Sequence, residues 1–272
     1  MTGHMLDALT EMPDGAFTSE GLFVREMGRL FRARWCFALP TGYLQAPGHR
    51  ACLRVAGREL LVVADREGVI RAFPNNCLHK GETFLHPGQG GTSSLLRCPH
   101  HGWCYALDGR LVRGPGFDLS SRPRAPSLPA IPLSTQGACI LVGPGTGGNH
   151  VVVRRRSGEV TERRTASVAA NWKLVARILC ERRWGYALPN LASRSDEREL
   201  LRLEPRAPGW TDIVLHATGR GSSVLDKLAT TAEALQARVG HEEIVEETII
   251  EMLADAMDRS IAGQSYLLSE ES

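Results

Sequence analysis

Two short pairs of thiol and imidazole side chains stand out in the chain. The first is Cys77-Leu78-His79; the second, after eighteen residues, is Cys98-Pro99-His100-His101-Gly102-Trp103. Each pair can put one thiolate and one imidazole on a metal. A [2Fe–2S] cluster with two cysteines on one iron and two histidines on the other needs that set, and the histidines raise its potential above that of an all-cysteine cluster. Zinc is the competing reading. A Cys2His2 finger places its cysteines first and its histidines after, each pair more widely spaced. Here each half is mixed, and Cys77 and His79 are one residue apart. The cluster reading is carried forward on Cys77, His79, Cys98 and His101. His100 rivals His101, but a C-x2-H spacing favours His101.

The elements that must hold these loops read as follows. Thr18 or Ser19 can cap a helix over about 19–31, with Leu22, Phe23, Met27, Leu30 and Phe31 on one side. Leu60 to Val63 form a buried strand, Asp65 to Gly68 a turn, and Val69 to Phe73 the returning strand. Residues 114–132, rich in Pro, Gly and Ser, read as irregular connection, and Cys139 to Val142 as one more strand. Gly143 to Gly148 lacks the Lys-Ser/Thr ending of a phosphate loop and reads as a linker. Beyond it, Val151 to Val153, 159–166, 200–203 and 211–218 alternate as strands. Asn171 can cap a helix carrying Trp172, Val175, Ile178 and Leu179. Two helices, about 223–238 and 241–259, close the chain around Gly240; Leu225, Leu228 and Leu235, then Ile244, Val245, Ile249, Met252 and Leu253, form their apolar faces. The expected organisation is a loose tail over 1–17, a cluster domain over 18–143, a linker over 144–150 and a second domain over 151–272.

Composition sets outer bounds. Apolar residues make up 43% and charged residues 23% of 272, ordinary globular values. A net charge of +2 gives no argument for nucleic acid or a membrane as partner. Of seven cysteines, the five outside the pairs (Cys36, Cys52, Cys104, Cys139 and Cys180) have no framework spacing and read as small core residues of a reducing compartment, with a disulfide conceivable only at Cys104. No signal-peptide core and no apolar run of about 18 residues is present, and a cytoplasmic protein is expected.

Asn76 to Gly81 and Cys98 to Trp103, with Asp108-Gly109 after them, resemble the Rieske signature. Trp35, Leu60 to Ala64, Gly68 and Arg71-Ala72-Phe73 extend the resemblance to the Rieske domain of ring-hydroxylating and related Rieske non-haem iron oxygenases, over about 22–143. Lys80 departs from the family's usual Arg, and the loop between the pairs is slightly long at Gly90-Gly91. The implied fold is α+β: an N-terminal Rieske β-sandwich followed by a shortened helix-grip domain of antiparallel sheet plus helices.

Ala170 to Val175 resembles the start of that family's catalytic domain. There, a helix carries an acidic residue, a histidine three residues on and a second about five further; with a carboxylate near the last long helix they form the 2-His-1-carboxylate iron site. Carried over, Glu181 takes the acidic position, Trp184 the first histidine position and Pro189 the second. Neither Trp nor Pro ligates iron. His241-Glu242-Glu243 retains carboxylates, and His216, His241 and His150 are the histidines from which another site would have to be built. The resemblance therefore implies a cluster without a mononuclear iron. In the family, electrons cross between subunits through an acidic bridge, the position of Glu181. The expectation is a Rieske subunit taking electrons from a ferredoxin or flavin reductase and serving a homologous catalytic partner in a trimer-based hetero-oligomer. The alternatives are a self-sufficient oxygenase with an unidentified iron site and a non-catalytic structural subunit.

Overall fold

A computed structural model of the chain describes residues 3–121, 123–136, 139–144, 151–152, 162–194, 199–217, 224–240 and 244–262. Helix α1 is Gly3–Thr10 and α2 Glu20–Glu26, continued by a π-helical turn over Met27–Arg32. The Ser19 hydroxyl caps α2 by accepting from the Leu22 N–H at 3.0 Å. Ten strands follow: β1 Cys36–Pro40, β2 His49–Val55, β3 Arg58–Ala64, β4 Val69–Pro74, β5 Gly90–Thr92, β6 Leu96–Arg97, β7 Cys104–Tyr105, β8 Leu111–Arg113, β9 Leu133–Gln136 and β10 Cys139–Val142. After β11 (Val151–Val152) and β12 (Glu162–Val168) come α3 (Trp172–Glu181), β13 (Gly185–Leu188), β14 (Leu191–Ser193), β15 (Glu199–Ala207), β16 (Trp210–Ala217), α4 (Val224–Gln236) and α5 (Glu246–Ala262).

These form four sheets, β1-β10-β9, β11-β4-β3-β2-β5, β6-β7-β8 and β12-β16-β15-β14-β13, with every strand pair antiparallel. Strand β3 is the wall between two cores. Its side chains alternate across the sheet, so Leu60, Val62 and Ala64 join the large core while Leu61 and Val63 join the small core under the ligand loops. The β3–β4 turn is fixed by Asp65, whose Oδ1 accepts from the Glu67 and Val69 N–H groups and whose Oδ2 pairs with Arg71 at 2.8 Å.

The structure corrects several expectations. Residues 3–17 are not a loose tail: Met5, Leu9 and Phe17 are buried, and α1 packs against α3 and α5. The N-terminal helices thus belong with the second sheet. The reason is partly polar. Glu26 on α2 is fully buried, accepting from Lys173 Nζ at 2.6 Å and Trp172 Nε1 at 2.8 Å. The alternation at Val151-Val152 is real, but the strand pairs with β4 of the first sheet, not with the second half. Val245 is 70% exposed and faces away from the core that takes Ile249 and Leu253. All seven cysteines are free and buried, Cys104 included. Residues 145–150, most of the expected linker, and His241 to Glu243 lie outside the described residues.

Candidate metal centre

The two ligand loops are built to one plan. In the first, Cys77 N–H donates to Glu82 O at 2.8 Å and Gly81 N–H to Cys77 O at 2.9 Å. In the second, Cys98 N–H donates to Trp103 O at 2.8 Å and Gly102 N–H to Cys98 O at 3.2 Å. Each turn closes on a glycine with positive φ, Gly81 at 75° and Gly102 at 70°, a conformation a side chain would strain. The plans differ in where the imidazole hangs: two residues after the cysteine in the first loop, three in the second. Asn75, fully buried, anchors the first loop by accepting from the Phe84 and Leu85 N–H groups and donating to Leu85 O. The short sheet β6-β7-β8 carries the second.

The loops bring the four predicted ligands together. The Cys77 and Cys98 thiols are close enough that Cys98 helps raise the Cys77 thiol above its ordinary value. The His79 and His101 rings lie 4.7 Å apart, nearly perpendicular, and Trp103 stacks on His79 at 4.9 Å. His79 Nδ1 is buried with no hydrogen-bond partner. A buried ring nitrogen left unpaired by the protein, near two thiols and a second imidazole, fits the ligand set of a [2Fe–2S] cluster. Burial pushes the Cys77 thiol above its ordinary value, opposed by the Tyr105 hydroxyl and the His79 backbone N–H. Burial and then the neighbouring His101 hold the His79 imidazole below its ordinary value, favouring the neutral, metal-binding form. Among the described residues no three His, Cys, Asp or Glu side chains form a single-ion site. His100, the rival, turns to Glu82 instead, 3.4 Å away.

Sequence reasoning missed Tyr105. Its buried hydroxyl lies 3.3 Å from Cys77 Sγ and accepts from the Leu78 N–H at 3.1 Å. The signal was its place on β7, two residues after Trp103, where period two turns it inward.

The α3 region is organised differently. Asn171 caps α3, accepting from the Lys173 N–H at 2.9 Å and donating to Phe17 O and Pro208 O. Glu181 is its last residue, exposed and paired with Arg177 at 3.0 Å. The helix does not continue through Trp184 and Pro189. It gives way to the β13–β14 hairpin: Trp184 precedes β13 with 1% of its surface exposed, under the Arg194 guanidinium, and Pro189 sits in the turn, its carbonyl accepting from the Tyr186 hydroxyl. Asn190 in the same turn mimics a strand neighbour, accepting from Phe37 N–H and donating to Phe37 O. His216 on β16 is buried, edge-on to Phe37, with both ring nitrogens unpartnered.

Comparison with known proteins agrees with this geometry. The Rieske [2Fe-2S] domain family matches residues 34–124. The carnitine monooxygenase oxygenase subunit of Acinetobacter pittii (strain PHEA-2) is 26% identical over 212 residues, covering 76% of this chain and 55% of that protein. The chain carries a Rieske [2Fe-2S] domain and is homologous to Rieske oxygenase subunits. The anthranilate 1,2-dioxygenase large subunit of Acinetobacter baylyi (strain ATCC 33305 / BD413 / ADP1) is 32% identical over 43% of this chain and 26% of its own length. The chain spans about half the length, or less, of the curated relatives it matches. Among solved structures, a quaternary ammonium Rieske monooxygenase in complex with L-carnitine superposes with a TM-score of 0.66 at 13% identity, covering 90% of this chain and 94% of that one. Naphthalene 1,2-dioxygenase from Rhodococcus sp. gives 0.59 at 15% identity, over 98% and 88%. These establish the Rieske oxygenase fold for the chain. No described helix is long and apolar enough to cross a membrane.

Proposed function

We propose that this chain is the Rieske subunit of a hetero-oligomeric oxygenase, taking electrons one at a time from a ferredoxin or flavin reductase and passing them to the mononuclear iron of a homologous catalytic partner. The observation that carries the reading is the contrast between the two candidate metal positions. Cys77, His79, Cys98 and His101 converge with a buried ring nitrogen to spare. At the carried-over histidine positions stand Trp184, packed in the core, and Pro189, in a hairpin turn. Neither side chain offers a lone pair with which to hold an ion.

When bound, a [2Fe–2S] cluster supplies a one-electron store. The chain's own residues do the rest. Cys77 and Cys98 release their protons to become ligands, so assembly is favoured by rising pH. Tyr105 donates toward Cys77 Sγ and offsets negative charge there. Trp103 stacks on His79 and holds its ring against rotation. His101 is exposed and gives the centre an edge to a partner. Glu181, at the acidic position, is exposed at the end of α3, where it is available to a neighbouring subunit. Relatives named as oxygenase subunits or large components of a system support a multi-component assembly; the reading takes it as trimer-based.

The test is metal and sulfide analysis with EPR on anaerobically purified, dithionite-reduced chain. The expected result is two irons per chain with a Rieske-type signal, and no further iron on adding ferrous ion. A third iron bound stoichiometrically would sink the donor-only reading.

A further inference from the structure

We propose that the layer between the second sheet and the Rieske domain is a binding site for one small anion of the halide class, held by Arg202, Arg163 and His216.

Register gathers these side chains on one face. His216 on β16 pairs with Arg163 on β12 and, on its other side, with Leu200 on β15. Paired residues share a face about 5 Å apart, and Arg202, two residues past Leu200, returns to that face. The alternate residues Leu201, Leu203, Ile213 and Leu215 take the other face and lie in the large core. The shared face therefore looks across at β1 and β10, where Leu200 packs against Phe37 and Leu141.

Both arginines reach across this layer and keep one donor over. Arg202 is fully buried, and its Nη1 donates to Ala38 O on β1. Arg163 Nη1 donates to Gly88 O, between the two ligand pairs, at 3.1 Å. In each guanidinium the Nε–H is buried without a partner, and so are both ring nitrogens of His216. Burial, then Arg202 and Arg163, hold the His216 imidazole well below its ordinary value, which places both charges near the ring. A neutral imidazole still offers one N–H. Arg50 and Arg58 also have unpartnered Nε groups, but they stand on β2 and β3. What sets this face apart is a buried imidazole, both nitrogens free, between two such guanidiniums.

The charges point the same way. Two carboxylates share the face. Asp212 is taken by Arg206 and Ser167. Glu204 accepts from the Gly57 N–H at 2.9 Å and, among the described residues, makes no ion pair with Arg202. Its field is divided between Arg202 and Arg58. Positive charge is left over, and burying it unpaired is costly. A buried water would satisfy the N–H groups and leave the charge; a small anion satisfies both. Phe37, 5.7 Å from His216 and edge-on, packs against the position and suits a one-atom ligand better than an oxyanion. Such an anion is shared by β12, β15 and β16 and binds only the assembled layer, so it stabilises the folded chain.

The test uses the cluster-loaded full chain. When chloride replaces gluconate at constant ionic strength and fixed pH, the thermal unfolding midpoint should rise by about 5 °C. Arg202→Met should abolish the rise. Should that variant not fold, Arg163→Met, at a half-buried position, carries the comparison and should remove most of it. The Rieske EPR spectrum should be the same in both anions. In crystals grown with bromide, anomalous diffraction should show a peak within hydrogen-bond reach of Arg202 Nε and a His216 ring nitrogen. Any of five results would overturn the site: a midpoint indifferent to chloride, which would make a bromide peak binding at crystal concentration only; an undiminished rise in Arg163→Met; an EPR spectrum that changes with the anion, which would move the effect to the cluster; no anomalous peak on this face; or Arg202 closed directly onto Glu204.

Discussion

The Cys77–Trp103 loops and the α3–β13 segment answer the same demand in opposite ways. In the loops, backbone groups bond to one another and to Asn75, so closing the loops does not depend on the cysteine and histidine side chains. In the α3–β13 segment the side chains themselves are the structure: Trp184 fills the core, Asn190 extends the hairpin onto β1, and Lys173 neutralises Glu26. A ligand position is one whose scaffold is complete without it. The sharpest way to break the comparison is to exchange the effects. Cys77→Ser should remove the cluster, taking iron from two per chain to near none by metal analysis. Trp184→Ala should leave iron and EPR unchanged while costing about 3–5 kcal/mol of stability in urea unfolding. Iron loss in Trp184→Ala, at a temperature where it remains folded, would merge the two regions into one site.

The face of the second sheet turned toward the Rieske unit offers a test by pH. Burial, then Arg202 and Arg163, hold the His216 imidazole well below its ordinary value, so it is neutral in the fold. The unfolded chain takes up that proton below about pH 6.5. Stability is therefore lost as pH falls from there toward the folded value, at up to about 1.4 kcal/mol per pH unit. His216→Phe should flatten the wild-type decline between about pH 6.5 and 5, compared by urea titration. An equal decline in both proteins would assign the acid sensitivity to groups other than His216.

Tyr105 sharpens the loop side of the comparison. Its hydroxyl stabilises charge on Cys77 Sγ, which is greatest when the centre is reduced. Tyr105→Phe should lower the reduction potential by roughly 40 mV, the equivalent of one hydrogen bond of about 1 kcal/mol in a one-electron couple. Redox-poised EPR reads this; a potential that does not move would make Tyr105 a packing residue.

Much of this was legible from the chain because both informative signals are short-range. Ligand spacing places Cys77, His79, Cys98 and His101, and alternation places β3, β4, β15 and β16. What escaped was set by long-range partners. Met5, Leu9 and Phe17 look like a sparse tail until α3 and α5 cover them. Nothing local marks Glu26 as buried, because its partner Lys173 lies 147 residues away. The helix break after Glu181 has a local trace only in hindsight, with Arg183 at a φ of 61°. His216 looks like an ordinary alternating residue because nothing in its own strand reveals that the facing layer contributes Phe37 and no acceptor.

Glu181 is where the two regions would meet across subunits, and it gives the smallest effect on the isolated chain. Its bond to Arg177 is an exposed pair one helical turn apart, worth about 0.3–0.5 kcal/mol. Glu181→Gln should therefore leave folding, iron content and the Rieske spectrum essentially unchanged. If Glu181 bridges to a catalytic partner, the same substitution should slow single-turnover electron transfer in the reconstituted complex, while reduction of this chain by its donor proceeds at the wild-type rate. Carboxylate geometry then matters more than charge, so Glu181→Asp, one methylene shorter, should restore little. An unimpaired single turnover in Glu181→Gln would leave the residue as a helix-end partner of Arg177, and the bridge would have to be sought elsewhere on the chain.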